Sequence, residues 1–296
     1  MKRIALLACA VALVAAAAGC GSAKAGDGDL TDDWGMLAAA KVPEPAAGAC
    51  WTTTRSNRHD MTSSRAFTQP CETDHVFETV SVGHFTGDAA SGSSAPTGEK
   101  LTAAWTECDK AIADFLGGEW QSGRLWANVV PPTDRQWTGG ARFYRCDVAA
   151  LQTEDGDFQE RKTTLKGSLA GAGELRLTCG TQVRDSAGKW QDVTPAKCED
   201  AHDIEYVGTV SSPGGEYPAT SALLTSTYSK TCEAKVLAYT GMSRGGWANQ
   251  KNLGFGYWLS TDKVQWVYGN HSARCYALIH DKKINRSLKG AGDVTV

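Results

Sequence analysis

Two segments of the chain alternate apolar and polar positions, and each is followed by a segment in which apolar residues recur with a helical period. Residues 76–85 and 204–210 show the two-residue period that is typical of a half-buried strand. Apolar side chains at 101–115 and 228–239 recur at three- and four-residue steps, which predicts one amphipathic helix in each half. The pattern therefore predicts an α+β fold that is built twice.

Both predicted helices carry a cysteine on the buried side. Cys108 and Cys232 fall within the apolar stripes, and Gly117 and Gly241 follow at the positions where a helix C-cap is expected. Strands rich in aromatic residues are expected after each helix. They should lead to the last cysteine of each half.

Two motifs recur in the same order around the cysteines. C-E-x-x-H-x-x-E-x-V occurs at 71–80 and at 198–207, and Q-W-x-x-G-x-x-x-x-R-C occurs at 136–146 and at 265–275. The repeat has a period of about 125 residues, whereas solenoid repeats run about 20–50 residues. The motifs therefore indicate a tandem duplication of a whole domain.

A third motif, S-L-x-G-A-G, closes each half at 168–173 and at 287–292. Its glycines are typical of a junction between domains. We expect two similar small domains at 45–173 and 174–296. Each is predicted to be a twisted, mainly antiparallel sheet with one main helix and two disulfides.

The cysteine content is typical of an exported protein that is stapled by disulfides. Eight of the ten cysteines form two blocks of four, and an even number in an exported chain indicates a disulfide framework. Four cysteines allow three connectivities, of which we favour first with second and third with fourth. The expected bridges are Cys50–Cys71, Cys108–Cys146, Cys179–Cys198 and Cys232–Cys275.

The N-terminus resembles the export signal of a bacterial lipoprotein. Two basic residues precede an apolar run at 4–18, which is shorter than the roughly 20 residues that span a bilayer. A-A-G-C at 17–20 resembles a lipobox, which implies removal of residues 1–19 and lipid on Cys20. Residues 20–44 are then a flexible tether. We expect a protein that is lipid-anchored on the extracytoplasmic face of the plasma membrane.

The charge balance limits the class of partner. The formal net charge of −3 argues against nucleic acid as the main partner, because phosphate backbones attract basic surfaces. No phosphate-binding loop or zinc-protease motif occurs in the sequence. We therefore predict no cofactor and no nucleic-acid partner.

A repeated histidine–glutamate pair is the clearest candidate for chemistry. His75 and Glu78 recur as His202 and Glu205, and both residue types can bind metals. No third ligand recurs, and positions i and i+3 of a strand face opposite sides unless the chain turns. We favour a histidine that caps the turn after the disulfide, and we predict no metal. The alternative is a metal-assisted hydrolase that uses either pair on envelope material.

Two tryptophans also recur, and two roles are open to them. Trp137 and Trp266 are expected on late strands, at a fixed distance before a disulfide cysteine. Exposed tryptophans could stack on cell-wall sugars. A tryptophan at this position is more often packed in the core against the bridge, which is the interpretation we favour.

An arginine immediately precedes the last cysteine of each half. Arg145 and Arg274 occupy this position. Each is expected to pair with a carboxylate, and Glu78 and Glu205 are the candidates.

These motifs together resemble the septum-formation family. The cysteine–histidine–glutamate pattern, the helical cysteine and the late W-x-x-G…C resemble that domain in both halves, so the resemblance covers nearly all of the chain after the signal. It implies two tandem copies and an extracytoplasmic, non-enzymatic role in the cell envelope. It supplies no catalytic residues. We expect a binding or scaffold protein linked to septum or cell-wall assembly, with envelope proteins or peptidoglycan as partners.

Overall fold

The computed structural model describes residues 41–53, 66–154, 156–293 and 295–296. The predicted signal peptide, Cys20 and most of the predicted tether lie outside these residues. Val42–Val296 form one compact unit. In the part of the chain that is described, no helix has the length and apolar character needed to cross a bilayer.

The first half builds a five-stranded antiparallel sheet with the order β2-β1-β3-β5-β4. The long strands β3 and β5 pair along their length, with Phe77 opposite Ala149 and His84 opposite Phe143. The strands of this sheet are β1 (Cys50–Thr53), β2 (Ala66–Gln69), β3 (Phe77–His84), β4 (Leu125–Val130) and β5 (Phe143–Ala150).

The second half repeats this topology with the order β7-β6-β8-β10-β9, again antiparallel. Its strands are β6 (Cys179–Arg184), β7 (Trp190–Ala196), β8 (Ile204–Ser211), β9 (Leu253–Leu259) and β10 (Ser272–Ile279). The predicted α+β class is confirmed, with two similar sheets among the described residues.

One long helix packs on each sheet, as the apolar periodicity predicts. The first buries Cys108 and Ile112 against the sheet, and Gly117 ends it in the left-handed conformation, with φ 77°. Gly241 ends the second in the same way, with φ 70°. The helices are α1 (Asp88–Ser91), α2 (Thr102–Leu116), α3 (Asp134–Thr138), α4 (Ser221–Thr240), α5 (Arg244–Ala248) and α6 (Lys263–Val267).

Four disulfides staple the described residues. The bridges are Cys50–Cys71, Cys108–Cys146, Cys179–Cys198 and Cys232–Cys275. In each half one bridge fixes the first strand to the turn before the third strand, and the other joins the main helix to the last strand in chain order, β5 or β10. These are the pairs favoured from the sequence, and none of these four bridges crosses between the halves.

The prediction that Trp137 and Trp266 lie on strands is wrong. They lie on the short helices α3 and α6. Thr133 begins α3 with a capping box, in which its hydroxyl accepts from the Gln136 backbone N–H and the Gln136 side chain accepts from the Thr133 N–H. Asp262 caps α6 through the Gln265 N–H at 2.8 Å. The glutamine of the repeated Q-W motif therefore marks the third position of a helix.

Candidate functional site

The histidine and glutamate of the second half form a buried clamp. The chain bends after His202, which brings its Nε2 to 3.0 Å from a carboxylate oxygen of Glu205, while Nδ1 lies 2.8 Å from the Asp200 carbonyl oxygen. The backbone of His202 pairs with Ile284 on the returning chain. Neither side chain of the pair is exposed. The histidine therefore joins the turn after the disulfide to the segment after β10.

Glu205 uses both carboxylate oxygens to bind the last segment of the chain. One accepts from the Leu288 N–H at 2.7 Å, and the other accepts from the Ser287 hydroxyl at 2.9 Å and the Tyr239 hydroxyl at 2.8 Å. Burial raises the pKa of Tyr239 well above its usual range. Both carboxylate oxygens of Glu205 are therefore hydrogen-bonded within the protein and are not available to bind a substrate.

The first half has the same clamp with fewer contacts. Glu78 accepts from the Thr164 hydroxyl and the Leu165 N–H, both at 2.6 Å. His75 contacts the Thr73 carbonyl oxygen through Nδ1, and its Nε2 lies 3.6 Å from Glu78. The first half has Phe115 where the second has Tyr239, so one hydroxyl donor is lost.

The clamps correct the predicted alignment of the third motif. The structural counterpart of 287–292 is 164–169, so the predicted match to 168–173 is wrong by four residues. The Gly167 N–H donates to the Phe115 carbonyl, and the Gly290 N–H donates to the equivalent Tyr239 carbonyl, both at 2.9 Å. The shared sequence is T/S-L-K-G, because its first two residues are the ones that the glutamate binds.

The buried pair of the second half has one further residue of ligand type beside it, Cys179. Cys179, His202 and Glu205 each place a ligand-type atom within 4.8 Å of the others. However, Cys179 is bridged to Cys198, and the thiolate is the sulfur species that binds metals. The hydrolase alternative needs a substrate beside His75/Glu78 or His202/Glu205, and these side chains are buried.

Trp137 and Trp266 are core residues. Their exposed fractions are 2% and 3%. Each indole N–H donates to a carbonyl oxygen of the loop before the main helix, that of Gly92 at 2.7 Å and that of Gly215 at 2.8 Å. Each also packs in the core cluster that holds the helix-to-strand disulfide of its half. Their faces are therefore not available to stack on sugar rings.

The predicted partners of the two arginines are wrong. Arg145 pairs with Asp147, two residues further along β5, with a nitrogen–oxygen distance of 2.6 Å. Arg274 faces Glu154 of the first half at 3.6 Å. Glu78 and Glu205 are already bound to the closing segments of their own halves, so they are not accessible to the arginines.

Arg274 binds the first half across the junction between the two sheets. Its guanidinium donates to the carbonyl oxygens of Gln121 and Gly123, both at 2.8 Å. The Tyr276 hydroxyl donates to Glu154 in the same place. Burial raises the pKa of Glu154, and the positive charge of Arg274 opposes this shift. This face of β10 is therefore a protein-binding face whose partner is the other half of the chain.

Arg145 occupies the equivalent position on β5 but is held within its own sheet. Asp147 accepts from the Nε and Nη2 atoms of Arg145 and from the Thr79 hydroxyl, and Thr79 accepts from the Trp51 indole. The guanidinium also lies over the Trp51 ring, 4.3 Å from its centre. The network fixes Arg145 in one orientation.

Arg145 and Asp147 of this network form the floor of a cleft of about 570 Å³. The first half supplies one wall through β4 and Pro131–Pro132, and the second half supplies the other through Asp262, which caps α6, and Val264 within α6. Its volume lies within the range of about 300–1,000 Å³ that is usual for ligand sites. The cleft is mostly apolar, with charged groups at the floor and the rim.

Most residues around this cleft were not predicted from the sequence as site residues. Arg145 alone was singled out, and for a different partner. The R-C-D run at 145–147 contains the available signal, because residues i and i+2 of a strand share a face. No sequence pattern pointed to Asp134 or Asp262, because only the packing of the two halves brings them to the same cleft.

The comparisons with known proteins agree with the resemblance in the motifs. The model of a family described as septum formation matches residues 47–275, as a single span that takes in both sheets. Neither the curated proteins nor the solved structures gave a match. The match covers well over half of the sequence. The chain therefore belongs to the septum-formation family.

Proposed function

We propose that this protein is a lipid-anchored binding or scaffold protein of the bacterial cell envelope, and that it acts in septum or cell-wall assembly on the extracytoplasmic side of the membrane. The family match supports a division- or envelope-related role. Four disulfides favour an oxidising compartment outside the cytoplasm. The lipobox-like sequence at 17–20 supports the anchor. The equivalent strand order of the two sheets supports a duplicated ancestral domain.

The cleft between the two halves is the observation that carries the binding role. It is lined by buried aromatic residues and by the exposed Val264, of which 66% is accessible. An apolar concave surface with a few placed charges is the usual form of a binding site. The buried His–Glu clamps, in contrast, serve the fold. Envelope proteins are the partner class that we favour over peptidoglycan, because the repeated tryptophans do not face solvent.

A substitution of Cys20 tests the anchor. Cys20→Ser removes the thiol that would carry the lipid and leaves the described domain unchanged. We expect the variant to leave the membrane fraction, whereas wild type and Cys20→Ser with an added transmembrane helix should remain there. Equal membrane retention of Cys20→Ser without that helix would contradict lipid anchoring.

Site-specific crosslinking in cells tests the binding role. p-Benzoylphenylalanine in place of Val264 would sit in the cleft, and the same group in place of Val183, which is 41% exposed and outside the cleft, is the matched control. We expect discrete crosslinks to envelope proteins from position 264 only, identified by mass spectrometry. The same products from both positions, or none from position 264, would refute the role of the cleft.

A further inference from the structure

We propose that the floor of the cleft on the first sheet is a docking site for an extended segment of an envelope protein that carries a lysine or arginine. The proposal rests on the proposed binding function and adds the chemistry of the partner. It depends on the comparison of β5 with β10, on the charges of the cleft and on its apolar walls.

The second half shows how this face of the sheet binds polypeptide. Alignment of β5 and β10 on their cysteines makes Arg145 equivalent to Arg274 and Asp147 equivalent to Tyr276. On β10 the arginine binds two backbone carbonyls of a 3₁₀ turn, and the tyrosine donates to the Glu154 carboxyl. The β10 face therefore receives a segment that presents hydrogen-bond acceptors and an acid.

The equivalent face of β5 has the opposite preference. Asp147 replaces the hydroxyl donor with a carboxylate, and that carboxylate holds Arg145 at 2.6 Å within the sheet. The guanidinium is thereby turned to its own strand and to Trp51, so it cannot reach out to carbonyl groups as Arg274 does. A segment that docks on β5 must then bring donors and positive charge to the surrounding acceptors.

The net charge of the cleft agrees with this preference. Among the described residues that line it, one arginine stands against three aspartates, and none is a lysine. Arg145 and Asp147 neutralise one another at the floor. Asp134 on α3 and Asp262 at the start of α6 remain on opposite sides, one from each half. Two carboxylates that no arginine or lysine of the cleft lining neutralises attract a cation in a partly apolar site.

The walls of the cleft suit an extended chain. Pro131 and Pro132 follow β4 directly and contribute ring surface without N–H donors. Trp126 and the exposed Val264 add apolar surface on the two sides. A segment with apolar side chains on both sides of a basic residue would bury these groups and place its cation near the aspartates.

Selection from a random dodecapeptide phage library on the immobilised full chain tests the proposal. We expect the enriched peptides to contain lysine or arginine flanked by apolar residues or proline. Synthetic copies should bind D134N/D262N about fivefold more weakly, as expected when two partly exposed charge pairs are lost. Asparagine at 262 still caps α6, so the variant keeps its fold. D88N/D114N removes two charges outside the cleft and should bind like wild type.

Three results would overturn the inference: enriched peptides without basic residues, equal binding by D134N/D262N, or no enrichment over the blank support. Binding of soluble peptidoglycan fragments that D134N/D262N abolishes would show a glycan site instead. A concentration-dependent dimer in sedimentation that the same variant disrupts would show a second copy instead. Crosslinking at position 264 to envelope proteins without any basic preference would refute the chemistry and leave the proposed function standing.

Discussion

Arg274 and Glu154 lie in different halves of the chain and face each other at 3.6 Å, with both side chains almost completely buried. The pair fixes the second sheet on the first, together with the hydrogen bonds from Arg274 to Gln121 and Gly123. The walls of the cleft come from both halves. Their distance apart therefore depends on this contact.

We expect Arg274→Met to destabilise the protein by about 3–5 kcal/mol, because it removes the cation that faces the buried Glu154. Urea unfolding measures the loss. The matched variant Arg145→Met breaks the buried pair inside one sheet. Amide hydrogen exchange should distinguish the two variants. Only Arg274→Met is expected to speed exchange of the backbone amides at 121–123 and 265–268. Identical exchange patterns would contradict a junction role for Arg274.

The clamps predict an order of stability losses. Glu205→Ala leaves the donors of Leu288, Ser287 and Tyr239 without their acceptor, and Glu78→Ala leaves two donors in the first half. At about 1–3 kcal/mol for each buried donor left unpaired, three donors predict a loss of about 3–9 kcal/mol for Glu205→Ala, and two donors predict about 2–6 kcal/mol for Glu78→Ala. Chemical denaturation of both variants provides the measurement, and the reverse order would be inconsistent with the contacts.

The buried tryptophans predict a loss of stability without a specific loss of binding. Trp266→Ala removes a packed indole and its hydrogen bond to Gly215, so a cost of about 3–5 kcal/mol is expected. The folded fraction of the Trp266→Ala protein should be retained on purified peptidoglycan to the same extent as the wild-type protein. Trp137→Ala should behave in the same way. A folded variant that lost wild-type retention would restore a sugar-stacking role for these residues.

A buried tyrosine predicts how stability depends on alkaline pH. Burial raises the pKa of Tyr228 to about 12, whereas an unfolded tyrosine titrates near about 10. In the folded state Tyr228 therefore keeps its hydroxyl proton to a higher pH. The contribution of Tyr228 to the free energy of unfolding is complete below about pH 10 and is lost as the pH rises towards 12. The free energy of unfolding, measured from pH 9 to 11.5, should fall less steeply for Tyr228→Phe than for wild type. Parallel curves would contradict the shift.

The sequence correctly predicted the elements that depend on interactions between nearby residues. The helical repeat around Cys108 and Cys232, the capping glycines 117 and 241 and the alternating strands were confirmed, because each depends on neighbours within a few residues. The strand expected at Trp137 was wrong, because a single capping threonine outweighed the aromatic, strand-like composition. The third motif was misaligned because a carboxylate more than 80 residues away selects which residues close each half.

The sequence by itself determined the two-fold repeat, the class of fold and the buried nature of the repeated tryptophans, since periodicity and spacing record these directly. Tertiary structure alone decided that Arg145 and Arg274, equivalent in sequence, have different partners, and that Asp134 and Asp262 line one cleft. The contacts of Arg274 join the two halves of the chain, and their identity depends on how the second sheet packs on the first. The two halves share the arginine before the last cysteine, whereas packing seats one copy on the other half and leaves the equivalent face of the other copy open to a cleft.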